Sequence, residues 1–176
     1  GQDGVYMPEY YYDKDNGRKV TKAGFVKDNR GLTYYLDEKG NKVLGLHEIN
    51  GDLYYFRRGG AYKYTQLGDM WQDSINYIDG KIYYFGHDGR AIKNRFYQWG
   101  NYWYYFYADG SAATGAVQIN GQQLYFDKNH GRQVKGAFAP DGHYYDENSG
   151  ELVTNQTRTI KGVTYHFDEN GNATKV

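Results

Sequence analysis

The chain has 176 residues, with 21 basic residues balancing 21 acidic ones, no cysteine, and 22 Tyr beside 24 Gly. Zero net charge without a basic block argues against nucleic acid, and no apolar run reaches the length of a membrane span. The missing cysteines exclude disulfides and thiolate metal sites. Val, Ile, Leu and Phe make up fewer than one residue in five, which is low for a folded domain. Tyr and Trp supply the missing apolar area, since each buried aromatic hides roughly 150–250 Å².

Along the chain one phrase recurs: a Gly turn, two or three residues, then a Tyr pair closed by Phe or Leu. It reads Tyr34-Tyr35-Leu36, Tyr54-Tyr55-Phe56, Tyr83-Tyr84-Phe85, Tyr104-Tyr105-Phe106, Leu124-Tyr125-Phe126 and Tyr165-His166-Phe167. Degenerate copies stand at Tyr10-Tyr11-Tyr12 and His143-Tyr144-Tyr145. The copies divide the chain into about eight units: 1-24, 25-45, 46-68, 69-94, 95-115, 116-136, 137-155 and 156-176. A unit of about 20 to 22 residues is too short for paired helices and fits a hairpin plus a return loop. Asn50-Gly51, Asp79-Gly80, Asn120-Gly121 and Asp141-Gly142 are hairpin turn signals, because both central residues of that turn need φ > 0. A second Gly after most triplets (Gly40, Gly89, Gly110, Gly131, Gly150, Gly171) marks a further turn. No helical periodicity is present. The expected fold is all-β, a β-solenoid of stacked hairpins sharing one core. The stretch 57–75 is longer than its counterparts and reads as a decorated loop or an additional short strand pair.

Neighbouring strand side chains point to opposite faces. The first and third triplet residues are therefore assigned to the shared core. The middle column, Tyr35, Tyr55, Tyr84, Tyr105, Tyr125, Tyr144 and His166, has two readings: packing against the next unit, or exposed aromatic platforms on which sugars stack.

Ile119 to Asp127, followed by Gly131-Arg-Gln-Val-Lys-Gly136, resembles the cell-wall-binding and glucan-binding repeat superfamily. Within it the likeness is to the glucan-binding domain of glucansucrases, the dextransucrase-like enzymes. The resemblance implies sugar pockets between successive units, each with an aromatic platform and a Gln-x-Lys pair. Gln133-Val134-Lys135 carries that pattern, and with Tyr125 and Tyr144 it forms the first candidate site. Tyr84 and Lys93 with the following Trp103 or Tyr105 form the second, where Ala91 replaces the Gln. A Gln amide donates and accepts while a Lys ammonium only donates, so the pair can fix sugar hydroxyls.

No catalytic constellation is evident. The five His are scattered without fixed pairing, and Asp13, Asp37, Asp127, Asp146 and Asp168 read as turn builders. Asp13-Lys14-Asp15-Asn16-Gly17 fails as a calcium loop, with its Gly one position early and no closing Glu. Neither metal nor cofactor is expected. The resemblance implies a non-catalytic, monomeric α-glucan-binding module on an extracellular or surface-associated bacterial transglucosylase, and a piece of a longer protein. A choline-binding wall module and a glycan-docking or structural repeat array are the alternatives.

Overall fold

A computed structural model describes residues 12, 16–59 and 67–176 of the chain. The Tyr10-Tyr11-Tyr12 copy (Tyr12 excepted), the Asp13-Lys14-Asp15 segment and the middle of the 57–75 stretch lie outside the described residues.

The described residues hold fifteen short strands joined almost wholly as hairpins. β1 (Gly24–Lys27) pairs with β2 (Thr33–Leu36), and β3 (Gly45–Ile49) with β4 (Asp52–Phe56). β5 (Ser74–Ile78) and β6 (Lys81–Phe85) form the next sheet. β7 (Arg95–Trp99) pairs with β8 (Tyr102–Phe106), and β9 (Gly115–Ile119) with β10 (Gln122–Phe126). The short β11 (Ala137–Phe138) and β12 (Tyr144–Tyr145) follow. β13 (Gln156–Ile160), β14 (Val163–Phe167) and β15 (Ala173–Lys175) make the one three-stranded sheet among the described residues. The all-β expectation holds. The chain packs as two compact units, Gly1–Asn76 with Tyr83–Ile92, and Tyr77–Ile82 with Lys93–Val176.

Turn chemistry follows the sequence at three of the four marked turns; at Asp141-Gly142 only the Gly takes positive φ, 84°. Asn50-Gly51, Asp79-Gly80 and Asn120-Gly121 all adopt positive φ at both positions, between 49° and 84°. After each triplet the chain returns and forms a single bridge to the triplet's last residue, as in Phe85↔Ala91, Phe106↔Ala112 and Phe126↔Gln133. The bridging residue also reaches the preceding hairpin through its amide. In the first unit Met70 N–H donates to Thr33 O (2.7 Å) and Ala91 N–H to Leu53 O (2.8 Å). In the second, Ala112, Gln133 and Leu152 donate to Ile82, Trp103 and Gln123 (2.8, 2.8 and 2.9 Å). These bonds stitch consecutive hairpins into a solenoid within each unit.

Of the Asp residues expected to build turns, the four that are described do so. Asp37 accepts the amides of Lys39 and Asn41, Asp127 those of Asn129, His130 and Arg132, and Asp168 those of Asn170 and Asn172. The long stretch joins the same ladder at both described ends. Phe56 bridges Met70 across it, and Arg57 and Asp69 exchange a backbone bond of 2.9 Å.

Core assignment by strand parity holds for most copies; Tyr12, which closes the first, is 48% exposed, and Tyr165 is half-buried. Leu36, Phe56, Phe85, Phe106, Phe126 and Phe167 are all 0% exposed, and Tyr34, Tyr54, Tyr83, Tyr104 and Leu124 are buried. Tyr83 stacks on Phe85 and Tyr104 on Phe106, two residues apart on one face (6.1 and 6.0 Å). Burying each such ring contributes about 1.5–3 kcal/mol. The middle column divides. Tyr55, Tyr84, Tyr125 and Tyr144 are buried, Tyr35 and Tyr105 are half-buried, and His166 is exposed. For four of the seven the packing reading is the correct one. A short hairpin has too few aliphatic residues to close its second face, so a ring is drawn in.

Candidate functional site

Trp103, one residue before its triplet, is one of the exposed aromatics of the second unit, with Trp99, Tyr102, Tyr107 and Phe138. It lies on β8 in the pleat of Tyr105, opposite Gln98 on β7, and 36% of its surface is exposed. Its carbonyl accepts the Gln133 amide, which brings the Gln133–Lys135 strand alongside. Gly136 then turns the chain at φ 65°, so Lys135 ends the segment with its ammonium 5.5 Å from the Trp103 ring centroid. That distance is within cation–π range.

The next unit closes the other side. Lys135 Nζ donates to Asn148 O (3.4 Å), and a side chain at Gly150 would overlap the Gln133 amide. The Asn148 turn is itself held by a carboxylate. Asp146 accepts the amides of Ser149 and Asn148 (2.8 Å each) and the Arg158 guanidinium (2.8 Å). The Ser149 amide, the Arg158 pair and the Asn148 amide hold the Asp146 carboxyl well below the usual carboxylate range, against a smaller opposing effect of burial. The rim thus presents a partly exposed indole with one ammonium over its ring, while the Gln133 side-chain amide lies against Gly150. Such a surface suits a ligand with an apolar face and a hydroxyl rim.

The sequence-predicted residues regroup. Gln133 and Lys135 are half-buried and both lie against Gly150. Tyr125 is 3% exposed, packed with Ala139 and Tyr145, and Tyr144 is 6% exposed, its ring 6.1 Å from Phe167. Neither offers a ring face, so their expected place as platforms is corrected. Trp103, expected with Tyr84 and Lys93, stands beside Lys135. Tyr84 is buried and belongs to the first unit, while Lys93 and Tyr105 are half-buried in the second. Tyr105 is edge-on to Phe96 (4.8 Å) and Tyr107 (5.6 Å). Sequence reasoning missed Asn148, whose contribution is a backbone carbonyl. It also paired Gln133 and Lys135 with Tyr125 rather than with Trp103 of the preceding repeat. The available signal was that the matching positions are Thr33, Leu53, Ile82 and Gln123, with Trp103 the aromatic among them. Among the described residues no cluster of three His, Cys, Asp or Glu is arranged to hold a metal ion.

With this geometry in hand, comparison with known proteins is informative. A choline-binding repeat model matches residues 113–156, the segment that holds Gln133 and Lys135, and a cell wall binding repeat model matches 23–42, 94–112 and 158–173. The chain belongs to the cell-wall-binding repeat superfamily. Among curated relatives, Glucosyltransferase-S of Streptococcus mutans serotype c is 37% identical, over 98% of this chain and 11% of that protein. Glucosyltransferase-I of Streptococcus downei is 38% identical, over 90% of this chain and 10% of that protein. The repeats therefore span about a tenth of the length of these relatives. Choline binding protein F from Streptococcus pneumoniae shares the fold, with a TM-score of 0.73 and 27% identity, over 97% of this chain and 56% of that structure.

Proposed function

We propose that these repeats are a non-catalytic binding module for α-glucan, of dextran or isomalto-oligosaccharide type, serving to keep an attached sucrose-using transglucosylase on its polymer. The observation that carries the reading is the exposed Trp103 face flanked by Lys135 and Gln133. The likeness to streptococcal glucosyltransferases supports the ligand class and an extracellular or cell-surface setting. One stacked ring and a few exposed hydrogen bonds bind weakly, which suits a module that acts on a polymer with many identical units.

A choline-binding wall module is the second reading, favoured by the choline-binding repeat match and the likeness to choline binding protein F. The Lys135 ammonium opposes it, because a cation 5.5 Å from the indole centroid repels a quaternary ammonium approaching the same ring. Electrophoresis through a dextran-containing native gel separates the two. The chain is retarded by dextran, and Trp103→Ala weakens the interaction by roughly 2 kcal/mol, about thirtyfold. Lys135→Ala also weakens dextran retardation. Unchanged retardation in both variants, or dextran-independent mobility with retention on a choline resin, overturns the proposal.

A further inference from the structure

One return segment of the second unit carries two cations, and each ends beside an exposed ring. Arg132 and Lys135 stand on either side of the bridging Gln133, whose amide bond to the Trp103 carbonyl lays the segment along the start of β8. Tyr102 and Trp103 are neighbours on β8 and so point to opposite faces. The Arg132 guanidinium carbon lies 4.1 Å from the Tyr102 centroid, and the Lys135 ammonium 5.5 Å from that of Trp103. Both rings are partly open to solvent, at 44% and 36%. The first unit has a counterpart, with the Arg57 guanidinium 5.9 Å from the half-buried Trp71 ring.

The surroundings of Trp103 are those of a cation site. Trp103 shares its face of the hairpin with Tyr105, and Tyr105 stands opposite Phe96 on β7 with the two rings 4.8 Å apart. Grouped aromatic faces are what a quaternary ammonium binds, and Lys135 falls within the stretch that matches the choline-binding repeat model. Here the chain supplies the positive charge itself. Lys135 Nζ is tethered by the Asn148 carbonyl at 3.4 Å, and the Gly136 corner fixes the end of its segment. A second cation on the same ring would sit beside that ammonium. Like charges a few ångströms apart repel more strongly than one partly exposed ring attracts. A neutral ligand meets no such cost.

We infer that Lys135 sets the ligand class of this site: its ammonium takes the place of a quaternary ammonium on the Trp103 ring, so that removing one charge, with no new ring, turns the site toward choline. Arg132 guards Tyr102 in the same way on the other side of the hairpin. The inference rests on the α-glucan reading only for the identity of the neutral ligand. The test uses the full chain labelled with ¹⁵N, whose three Trp give three indole N–H signals, assigned by Trp71→Phe, Trp99→Phe and Trp103→Phe. Choline is titrated in parallel with its uncharged isostere, in which a tert-butyl group replaces the trimethylammonium. Lys135→Met keeps the length and removes the charge. It is expected to lower the choline midpoint read at Trp103 by about tenfold or more, and to leave the midpoint for the isostere within about twofold. Lys135→Arg keeps the charge and behaves as the native chain does. Lys135→Gln serves if the Met variant does not fold. Equal choline midpoints in the native chain and the neutral variants overturn the inference. So does an equal fall for choline and isostere, which would make Lys135 a steric plug. Dextran retardation of the native chain is measured alongside. Retardation with a choline midpoint unmoved by Lys135→Met removes this inference alone. No retardation, with a choline midpoint that falls, upholds it and removes the glucan ligand.

Discussion

Gln133 and Lys135 owe their orientation to a glycine in the next repeat. Gly150 takes φ 73°, and a Cβ there would collide with the Gln133 amide and crowd Lys135. Gly121 has a similar φ, 81°, with nothing near its missing side chain. Gly121→Ala and Gly150→Ala both cost left-handed strain of about 1 kcal/mol, and Gly150→Ala also displaces the flexible end of the Gln133 side chain, which adds little to the cost but moves the amide. Urea denaturation of the two variants measures both costs. Asp146 makes the same rim pH-dependent. Its carboxyl titrates below the ordinary range because the Ser149 amide, Arg158 and the Asn148 amide favour the charged form. A depressed carboxylate stabilises the fold above its unfolded pKa, about 3.9, and that stability drains as pH falls through and below it. Asp146→Asn is expected to lower the urea midpoint at pH 7 and to flatten its further fall below about pH 4. An equally steep fall in the variant would show that other carboxylates carry the acid transition. Residue identity made Gln133 and Lys135 legible as polar site residues. The platform was not, because a Tyr has the same amphipathic character whether it packs or is exposed. Only the ladder, with Gln133 N–H on Trp103 O, shows which ring stands beside the Lys.

At the level of the hairpin, the sequence was most readable where backbone geometry demands particular residues. Asn-Gly and Asp-Gly marked three of the turns that take φ > 0 twice. The last hairpin uses Lys161-Gly162, with Lys161 at φ 50°, and carries no such mark. Asn tolerates this conformation better than Lys, so Lys161→Asn is predicted to stabilise the β13–β14 hairpin by about 0.5–1 kcal/mol. Thermal unfolding checks it, and a lowered midpoint would mean that the Lys161 side chain contributes more than its backbone strain removes. A second left-handed corner lies three residues after six of the seven isolated bridges among the described residues, at Gly45, Asp73, Asn94, Gly115, Gly136 and Asn155. Its residue types vary, so no sequence pattern announced it. This corner turns the chain from one hairpin into the next, and places residue 135 at the end of its strand.

For the whole chain, period and parity were enough to give a stacked-hairpin architecture and its Phe core, because both are repeated eight times over. The site was less legible because it uses the differences between repeats. The long 57–75 stretch shows this most clearly: its described ends rejoin the common ladder at Met70, and Trp71 and Gln72 follow at once. The central claim, that Trp103 with Gln133 and Lys135 forms a sugar platform, is tested most directly by a crystal soaked with isomaltotriose. The account predicts a glucosyl ring stacked on the Trp103 indole, with its hydroxyls within hydrogen-bond reach of Lys135 Nζ and the Gln133 amide. Sugar bound elsewhere in the second unit with the Trp103 face bare would contradict it.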